Sequence, residues 1–202
     1  MVSLDDPAAF TRYGAVLFDC DGMLADTRPA HYLALAATLE PLGVLIGRPW
    51  YARYAGASTA ETLRAALHPL EPGPELIARL VAECGERYTE HLPAVREITP
   101  VTALARTLFG HLPLAVASGG TRRTVEATLH HLGLDALFTT VVTRDDVDWG
   151  KPAPDLFLLA AERLGVAPTR CLALEDTDRG LLAAQRAGMA ALDVRTGRIG
   201  RA

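Results

Sequence analysis

Six polar side chains follow or flank short apolar runs of this sequence, and their types suit chemistry on a phosphoryl group. They are Asp19, Asp21, Ser118, Lys151, Glu175 and Asp176. Four gathered carboxylates repel one another unless a cation lies among them, since two like charges about 4 Å apart cost about 4 kcal/mol at a surface-like dielectric constant. Carboxylate oxygens are hard ligands that favour Mg²⁺, and an ammonium and a hydroxyl beside it suit phosphoryl oxygens. We therefore expect a magnesium site that handles a phosphoryl group.

Lys151 stands out because it is the one lysine of the chain. The sequence has 20 basic residues, and the other 19 are arginines. A compositional bias toward arginine leaves a lysine where a compact, flexible point charge is needed and a wide planar guanidinium does not serve. The retention of this lysine favours a functional position, with chance survival as the alternative.

The elements that position these side chains alternate between buried strands and helices. Apolar runs typical of short buried strands occupy residues 15–18, 112–117, 140–142, 171–174 and 190–194. Helical patterns occupy residues 121–132, 154–164 and 178–187, and a glycine follows each. This alternation predicts an α/β fold with a doubly wound parallel sheet. Ligands of such sheets bind beyond the carboxyl ends of the strands, so the polar residues are expected to meet there.

Residues 28–97 have a different pattern, with helices at 31–42, 60–67 and 75–91, proline-containing breaks and no convincing strand. We therefore expect an α/β core domain of residues 1–27 and 98–202 and an inserted small α-helical domain of residues 28–97. The insertion leaves the core just after Asp19 and Asp21. Its functional interpretation is a cap over the site, and a structural elaboration is the alternative.

Four motifs resemble, in order, those of the haloacid dehalogenase (HAD) superfamily of phosphatases. They are residues 18–27 (FDCDGMLADT), Ser118 after an apolar strand, residues 150–155 (GKPAPD) and residues 175–180 (EDTDRG). Each motif alone is moderately specific, but four in this order and spacing are very specific. The resemblance covers about residues 14–195 and implies a Rossmann-like HAD core with a helical cap.

The resemblance implies a role for each acidic residue. Asp19 would attack phosphorus as the nucleophile and form an aspartyl-phosphate. Asp21 would protonate the leaving group and then deprotonate the attacking water. A Mg²⁺ cofactor would be bound by Asp19, the backbone carbonyl of Asp21, Glu175 and Asp176, and would offset the repulsion between carboxylate and phosphate.

The phosphoryl oxygens, by the same resemblance, would be held by Ser118, the backbone amide of Gly119 and Lys151. Taken alone, a serine at such a position more often caps a helix or lies in a turn. These roles therefore rest on the four motifs together. Cys20, between the two aspartates, is interpreted as a packing residue.

The position of the insertion indicates a subgroup. Asp19 and Ser118 are 99 positions apart, whereas Ser118 and Lys151 are only 33 apart, so the room for a cap lies in the first gap. This arrangement resembles the β-phosphoglucomutase and phosphoglycolate phosphatase group, which has a helical C1 cap. The stretches 26–31, 150–159 and 193–195 resemble sugar-phosphate phosphatases of the fructose-1-phosphate type.

We therefore expect hydrolysis of small phosphomonoesters, with a phosphosugar mutase as the alternative. β-Phosphoglucomutases carry cations where this chain has Thr59 and Thr121, which weakens the mutase interpretation without excluding it. A non-catalytic binding protein on the HAD fold is less favoured, because no motif is broken. The candidates for substrate or hinge contacts in the insertion are His31, Arg53 and Ser58.

Composition limits the partners that we expect. A net charge of −4 does not indicate the basic surface that binds nucleic acids. No apolar run reaches the roughly 18 residues that a membrane span needs. Three widely spaced cysteines indicate a reducing compartment, and residues 1–11 lack the apolar stretch of a secretory signal. We expect a cytoplasmic monomer whose partner is a small phosphorylated metabolite.

Overall fold

A computed structural model describes residues 3–54 and 56–200, which divide into two compact units. The first unit contains residues 3–26 and 96–200, and the second contains residues 27–54 and 56–95. The division into a core domain of residues 1–27 and 98–202 and a cap domain of residues 28–97 stays a prediction.

The elements of the described residues follow one another as short strands and helices. The strands are β1 (Ala15–Phe18), β2 (Ala25–Asp26), β3 (Arg96–Glu97), β4 (Leu114–Ala117), β5 (Thr140–Val142), β6 (Cys171–Glu175), β7 (Ala190–Asp193) and β8 (Arg198–Gly200). The α-helices are α1 (Arg28–Leu39), α2 (Arg48–Ala52), α3 (Thr59–Leu67), α4 (Pro74–Glu90), α5 (Thr99–Leu108), α6 (Arg122–His131), α7 (Asp155–Leu164) and α8 (Asp178–Arg186).

The first unit is built on a six-stranded sheet with the order β5-β4-β1-β6-β7-β8. The first five strands of this order run parallel, which confirms the predicted doubly wound parallel sheet. One correction concerns the edge, where β8 pairs antiparallel with β7. A second correction concerns the insertion, in which no strand was predicted: β3 pairs antiparallel with β2.

Both faces of the sheet are covered, because successive side chains of a strand point to opposite faces. Val16 and Phe18 of β1 belong to a core shared with α5 and α6. Ala15 and Leu17 belong to the opposite core, shared with α7 and α8. The small alanines of this second face let both helices pack closely on the strands. Helix α8 thus lies directly against the strands that end at the polar residues.

The second unit is helical, as predicted, and has a core of its own. Helices α1, α3 and α4 contribute the buried side chains Leu35, Leu39, Leu63, Leu67, Ile77, Leu80 and Cys84. The short helix α2 was not predicted. Within both units, no helix of the described residues is long and apolar enough to cross a membrane.

Candidate active site

Three neighbouring strands bring predicted site residues to one edge of the sheet. Asp19 follows β1, Ser118 follows β4 and Glu175 ends β6, and β1 lies between the other two strands. The backbone N–H of Asp19 donates to the carbonyl of Leu174 at 3.2 Å, so the pairing of β1 with β6 continues into the acidic residues. Because parallel strands end at the same edge, the three side chains share one crevice.

Lys151 reaches this crevice from the loop between β5 and α7. Its ammonium donates to Oδ1 of Asp19 at 2.7 Å and to Oε1 of Glu175 at 2.5 Å. The lysine side chain is 10% exposed, that of Asp19 is 9% exposed, and that of Glu175 is fully buried. One buried cation therefore bridges two buried carboxylates.

The pKa of the Asp19 carboxyl shows that this one cation does not balance the acids. Burial, which is the largest cause, and the neighbouring Glu175 and Asp21 carboxylates together raise that pKa to about 8, against the opposing effect of Lys151. Burial lowers the pKa of Lys151, but Asp19 and Glu175 outweigh it and raise this pKa above its ordinary value. The crevice holds more negative charge than its own lysine can neutralise.

The remaining acid of the cluster, Asp176, has a carboxylate oxygen with no hydrogen-bond partner in the described part of the chain. Oxygens of Asp19, Glu175 and Asp176 lie within 4.8 Å of one another. Within the described residues, Oδ1 of Asp176 is buried and accepts no hydrogen bond. Burial, and secondly Glu175, raise the pKa of Asp176 to about 6. A buried unsatisfied carboxylate oxygen among like charges is the environment that a hard divalent cation satisfies.

Two glycines, which have no side chain, leave the space that these carboxylates occupy. A Cβ added to Gly22 would lie 2.4 Å from Oδ2 of Asp176, and the positive φ of 82° at Gly22 is itself favourable only for glycine. A Cβ added to Gly180 would lie 2.0 Å from the carboxyl carbon of Glu175. Both positions therefore need glycine for the acids to keep their place.

Asp21 and Ser118 approach each other beside a third glycine. A Cβ added to Gly120 would lie 3.2 Å from Oδ2 of Asp21 and 3.3 Å from Oγ of Ser118. The Ser118 hydroxyl is buried and accepts a hydrogen bond from the Gly120 N–H at 3.0 Å. Gly119, between them, is exposed. The half-buried Asp21 side chain thus faces the loop that was predicted to bind phosphate.

The three candidates in the insertion lie in the second unit, where the side chains of His31 and Ser58 make local contacts. His31 packs against Tyr88, with ring centroids 4.4 Å apart. The Ser58 hydroxyl caps α3 by accepting from the Glu61 N–H at 3.2 Å, and the Glu61 carboxylate accepts from the Ser58 N–H at 2.7 Å. Arg53 is exposed and follows α2. Contact of these three residues with a substrate stays a prediction.

Several residues that shape the crevice had no role in the sequence analysis. The Thr177 hydroxyl donates to Oε2 of Glu175 at 3.1 Å and accepts from the Gly180 N–H at 3.0 Å, so it caps α8 and orients an acid. A threonine just before a helical pattern is a signal that could have identified this cap. Gly120 and Gly180 carry no such signal, because their importance depends on how distant segments pack. Cys20 is buried in the core beside α5 and α6, in agreement with its interpretation as a packing residue.

A comparison with protein families adds an independent finding. The model of a family described as haloacid dehalogenase-like hydrolase matches residues 16–194. A curated relative, fructose-1-phosphate phosphatase YqaB from Escherichia coli (strain K12), is 37% identical over 188 residues, which are 92% of this chain and 98% of that protein. A β-phosphoglucomutase from Bacillus subtilis (strain 168) is 28% identical over 196 residues, with 91% and 84% covered.

Solved structures show the same likeness in three dimensions. The crystal structure of CbbY from Rhodobacter sphaeroides in complex with phosphate aligns with a TM-score of 0.80 at 30% identity. The alignment covers 89% of this chain and 84% of that chain. The likeness therefore extends over the sheet and the helices of this chain alike.

Proposed function

Because this chain belongs to the haloacid dehalogenase-like hydrolases, we propose that it is a magnesium-dependent phosphatase that hydrolyses small phosphomonoesters, in particular sugar phosphates. The family and its phosphatase relatives make it a phosphoric monoester hydrolase. One observation carries the finer proposal: the Lys151 ammonium lies between Asp19 and Glu175, at 2.7 and 2.5 Å. A cation and a nucleophilic carboxylate in contact at the edge of a parallel sheet are the parts that phosphoryl transfer requires.

The acidic cluster supports a divalent metal as the cofactor. Asp19, Glu175 and Asp176 would bind Mg²⁺ through carboxylate oxygens, one of which is the buried Oδ1 that lacks a hydrogen bond among the described residues. The backbone carbonyl of Asp21 is the fourth ligand that we propose. When bound, Mg²⁺ supplies positive charge that offsets the repulsion between the Asp19 carboxylate and the phosphate, and it orients the substrate.

The carboxylates of the first motif perform the proposed chemistry in two steps. In the first step a carboxylate oxygen of Asp19 forms a bond to phosphorus, while the bond from phosphorus to the ester oxygen breaks. Asp21 gives its proton to the departing alkoxide, which leaves as an alcohol. In the second step Asp21 takes a proton from water, and the oxygen of that water displaces Asp19 from phosphorus. Inorganic phosphate is released and both aspartates return to their starting states.

The residues around the aspartates hold the phosphoryl group in this proposal. Lys151 neutralises a phosphoryl oxygen as a compact charge, and the Ser118 hydroxyl and Gly119 amide donate hydrogen bonds to other oxygens. The Ser118 hydroxyl already accepts a hydrogen bond from the Gly120 N–H at 3.0 Å, which leaves its own proton free to point toward a ligand.

A sugar phosphate is the proposed substrate class because the fructose-1-phosphate phosphatase relative matches 92% of this chain. A phosphosugar mutase is the second candidate, favoured by the 28% identity to a β-phosphoglucomutase. The hydroxyl side chain of Thr121 caps α6 by accepting from the Thr124 N–H at 3.4 Å, so this position brings no cation for a second phosphate. We therefore favour hydrolysis over the mutase reaction, in which the phosphate is moved to another position of the sugar.

We also propose, on the same resemblance, that residues 28–97 form the cap domain of a core comprising residues 1–27 and 98–202. His31, Arg53 and Ser58 are its candidate substrate contacts. The proposed setting is a monomer in the cytoplasm that acts on a phosphorylated metabolite without nucleic-acid or membrane partners.

The test uses the purified chain with Mg²⁺ and a panel of phosphorylated sugars that includes fructose 1-phosphate. Free phosphate and isomerised sugar phosphate are both measured, with and without a sugar bisphosphate primer. Release of phosphate without isomer is expected. Formation of isomer that depends on the primer would establish the mutase instead.

Asp19→Asn provides the matching variant, with exposed Asp135→Asn as its control. The first is expected to abolish phosphate release and to retain the circular dichroism spectrum of the wild type, and the second is expected to leave release unchanged. Turnover of Asp19→Asn near that of the wild type would exclude Asp19 as the nucleophile.

A further inference from the structure

Two arginines of helix α8 hold the backbone of the loop that carries Lys151. Nε and Nη2 of Arg179 donate to the backbone carbonyl of Lys151 at 3.3 and 2.8 Å. Nη1 of Arg186 donates to the carbonyl of Pro152 at 2.9 Å. The two arginines are seven positions apart, so they lie on one face of the helix, and their long side chains converge on consecutive carbonyls.

The loop depends on such contacts because Lys151 lies in neither a helix nor a strand. Pro152 has no backbone N–H, so it cannot donate a backbone hydrogen bond that would hold the loop. On the other side of the loop, Arg144 donates to the carbonyl of Val147 and, at 2.9 Å, to the carbonyl of Asp148. Guanidinium groups from two directions thus fix a segment that regular secondary structure does not.

Helix α8 is also the element that fixes the acid facing Lys151. It begins at Asp178, directly after the Thr177 cap whose hydroxyl donates to Oε2 of Glu175 at 3.1 Å. Gly180, next to Arg179, is the glycine against which the Glu175 carboxyl group lies. One rigid helix therefore holds both the lysine loop and the carboxylate that its ammonium contacts at 2.5 Å.

From these contacts we infer that Arg179, supported by Arg186, is a positioning residue that sets where the Lys151 ammonium meets the phosphoryl group. This inference rests on the proposed function. A lysine side chain has four rotatable bonds, and a displaced backbone moves its charge away from Asp19 and from a bound phosphate. Arg179 itself is exposed, so without it water can solvate the Lys151 carbonyl and the fold is retained.

The test measures binding of inorganic phosphate in saturating Mg²⁺ by titration calorimetry, together with kcat/KM for phosphate release. Arg179→Met is expected to weaken phosphate binding about tenfold and to lower kcat/KM about tenfold. This is less than the roughly hundredfold loss of rate that a 1 Å misplacement causes. Arg179→Lys keeps one donor and is expected to recover part of the loss. Arg106→Met, which removes the ion pair between Arg106 on α5 and Glu97, is the matched control and is expected to change neither value.

A double-mutant cycle separates positioning from a general structural effect. In a Lys151→Met background, Arg179→Met is expected to change phosphate affinity by less than about twofold, because the ammonium that it positions is absent. Lys151→Gln replaces Lys151→Met if circular dichroism shows that the latter does not fold.

The outcomes distinguish this inference from the proposed function. The same loss in both backgrounds, wild-type affinity in Arg179→Met, or no phosphate binding by the wild type would overturn the positioning role. If the wild type binds phosphate but releases none from any ester, the proposed function fails, and the binding cycle still decides whether Arg179 acts through Lys151.

Discussion

The ammonium nitrogen of Lys151 lies 2.5 Å from Oε1 of Glu175, a side chain that solvent does not reach. The same nitrogen lies 2.7 Å from Oδ1 of Asp19, so a single cation contacts two buried carboxylates. Removal of one partner from a buried ionic cluster leaves charge uncompensated, which costs about 3–5 kcal/mol. The stability of the fold should therefore depend on this lysine more than on any exposed ion pair.

Lys151→Met is expected to lower the free energy of unfolding by about 3 kcal/mol in EDTA. In saturating Mg²⁺ the loss should be smaller, because a cation bound among the acids replaces part of the missing charge. Urea denaturation followed by circular dichroism measures both values. Arg106→Met is the control: its ion pair with Glu97 is more exposed, so a loss of about 1 kcal/mol or less is expected, equal in both buffers. A loss for Lys151→Met that is the same with and without Mg²⁺ would contradict a metal site at this cluster.

Gly180→Ala tests whether the close approach of α8 to Glu175 matters for activity. Alanine favours a helix by about 1 kcal/mol over glycine, so the helix itself accepts the change. The added Cβ would lie 2.0 Å from the Glu175 carboxyl carbon and must displace that carboxylate. We expect kcat/KM for phosphate release to fall at least about tenfold. Gly73→Ala, where no described atom lies within 4 Å of the new Cβ, should keep full activity. Wild-type activity of Gly180→Ala would show that Glu175 can move without consequence.

Asp146 connects the loop after β5 to helices α6 and α7, and its ionisation should stabilise the fold. Burial opposes that ionisation. Hydrogen bonds from the Thr143 N–H and hydroxyl, from Arg163 and from Arg122 outweigh burial and hold the pKa of Asp146 well below its usual range. The stabilisation is therefore fully present above the unfolded pKa of about 3.9 and is lost as the pH falls toward the folded value.

Asp146→Asn should consequently lower the free energy of unfolding by about 1–2 kcal/mol at pH 7. The difference from the wild type should shrink as the pH falls from about 4 to 3. Urea denaturation at pH 7, 5 and 3 measures it, with exposed Asp135→Asn as the control. A difference that stays constant down to pH 3 would mean that the Asp146 charge does not provide this stability.

The sequence was sufficient to predict the parallel strands of the sheet and the edge at which the acidic residues lie. A run of apolar residues that ends in Asp19, and another that ends in Glu175, predict buried parallel strands, and parallel strands end at one edge. Adjacency of β1 and β6 then brings Asp19 and Glu175 into the same crevice. These inferences depend on local pattern and on one general property of parallel sheets.

Elements that depend on distant contacts were missed or predicted incorrectly. The two residues of β3 form a strand only because β2, some 70 positions earlier, lies beside them. Strand β8 has three residues, too few for a periodic pattern, and its antiparallel direction depends on the turn after β7. The contact of Arg179 with the Lys151 carbonyl depends in the same way on how α8 packs beside the loop. The pattern of charged and apolar residues along the chain does not predict such contacts between distant segments.

Asp176→Asn provides the sharpest test of the metal. Within the described residues, Oδ1 of Asp176 is buried without a hydrogen bond, and the proposed Mg²⁺ would supply the partner that it lacks. Mutation of residues that support metal ligands without contacting the metal usually weakens metal binding 10–100-fold. Loss of the Asp176 charge should weaken Mg²⁺ binding at least as much. Titration calorimetry with MgCl₂ measures the affinity.

Asp178→Asn is the matched control for this substitution, because it lies two positions further on and its side chain is 91% exposed. It should bind Mg²⁺ like the wild type, since its carboxylate faces solvent and Arg195 rather than the acidic cluster. Thermal unfolding gives a second measure: Mg²⁺ should raise the midpoint of the wild type and of Asp178→Asn, and raise that of Asp176→Asn much less. Equal Mg²⁺ affinity in all three proteins would mean that the buried oxygen of Asp176 is not a metal ligand, and the charge excess around Asp19 would then have to be relieved by a proton.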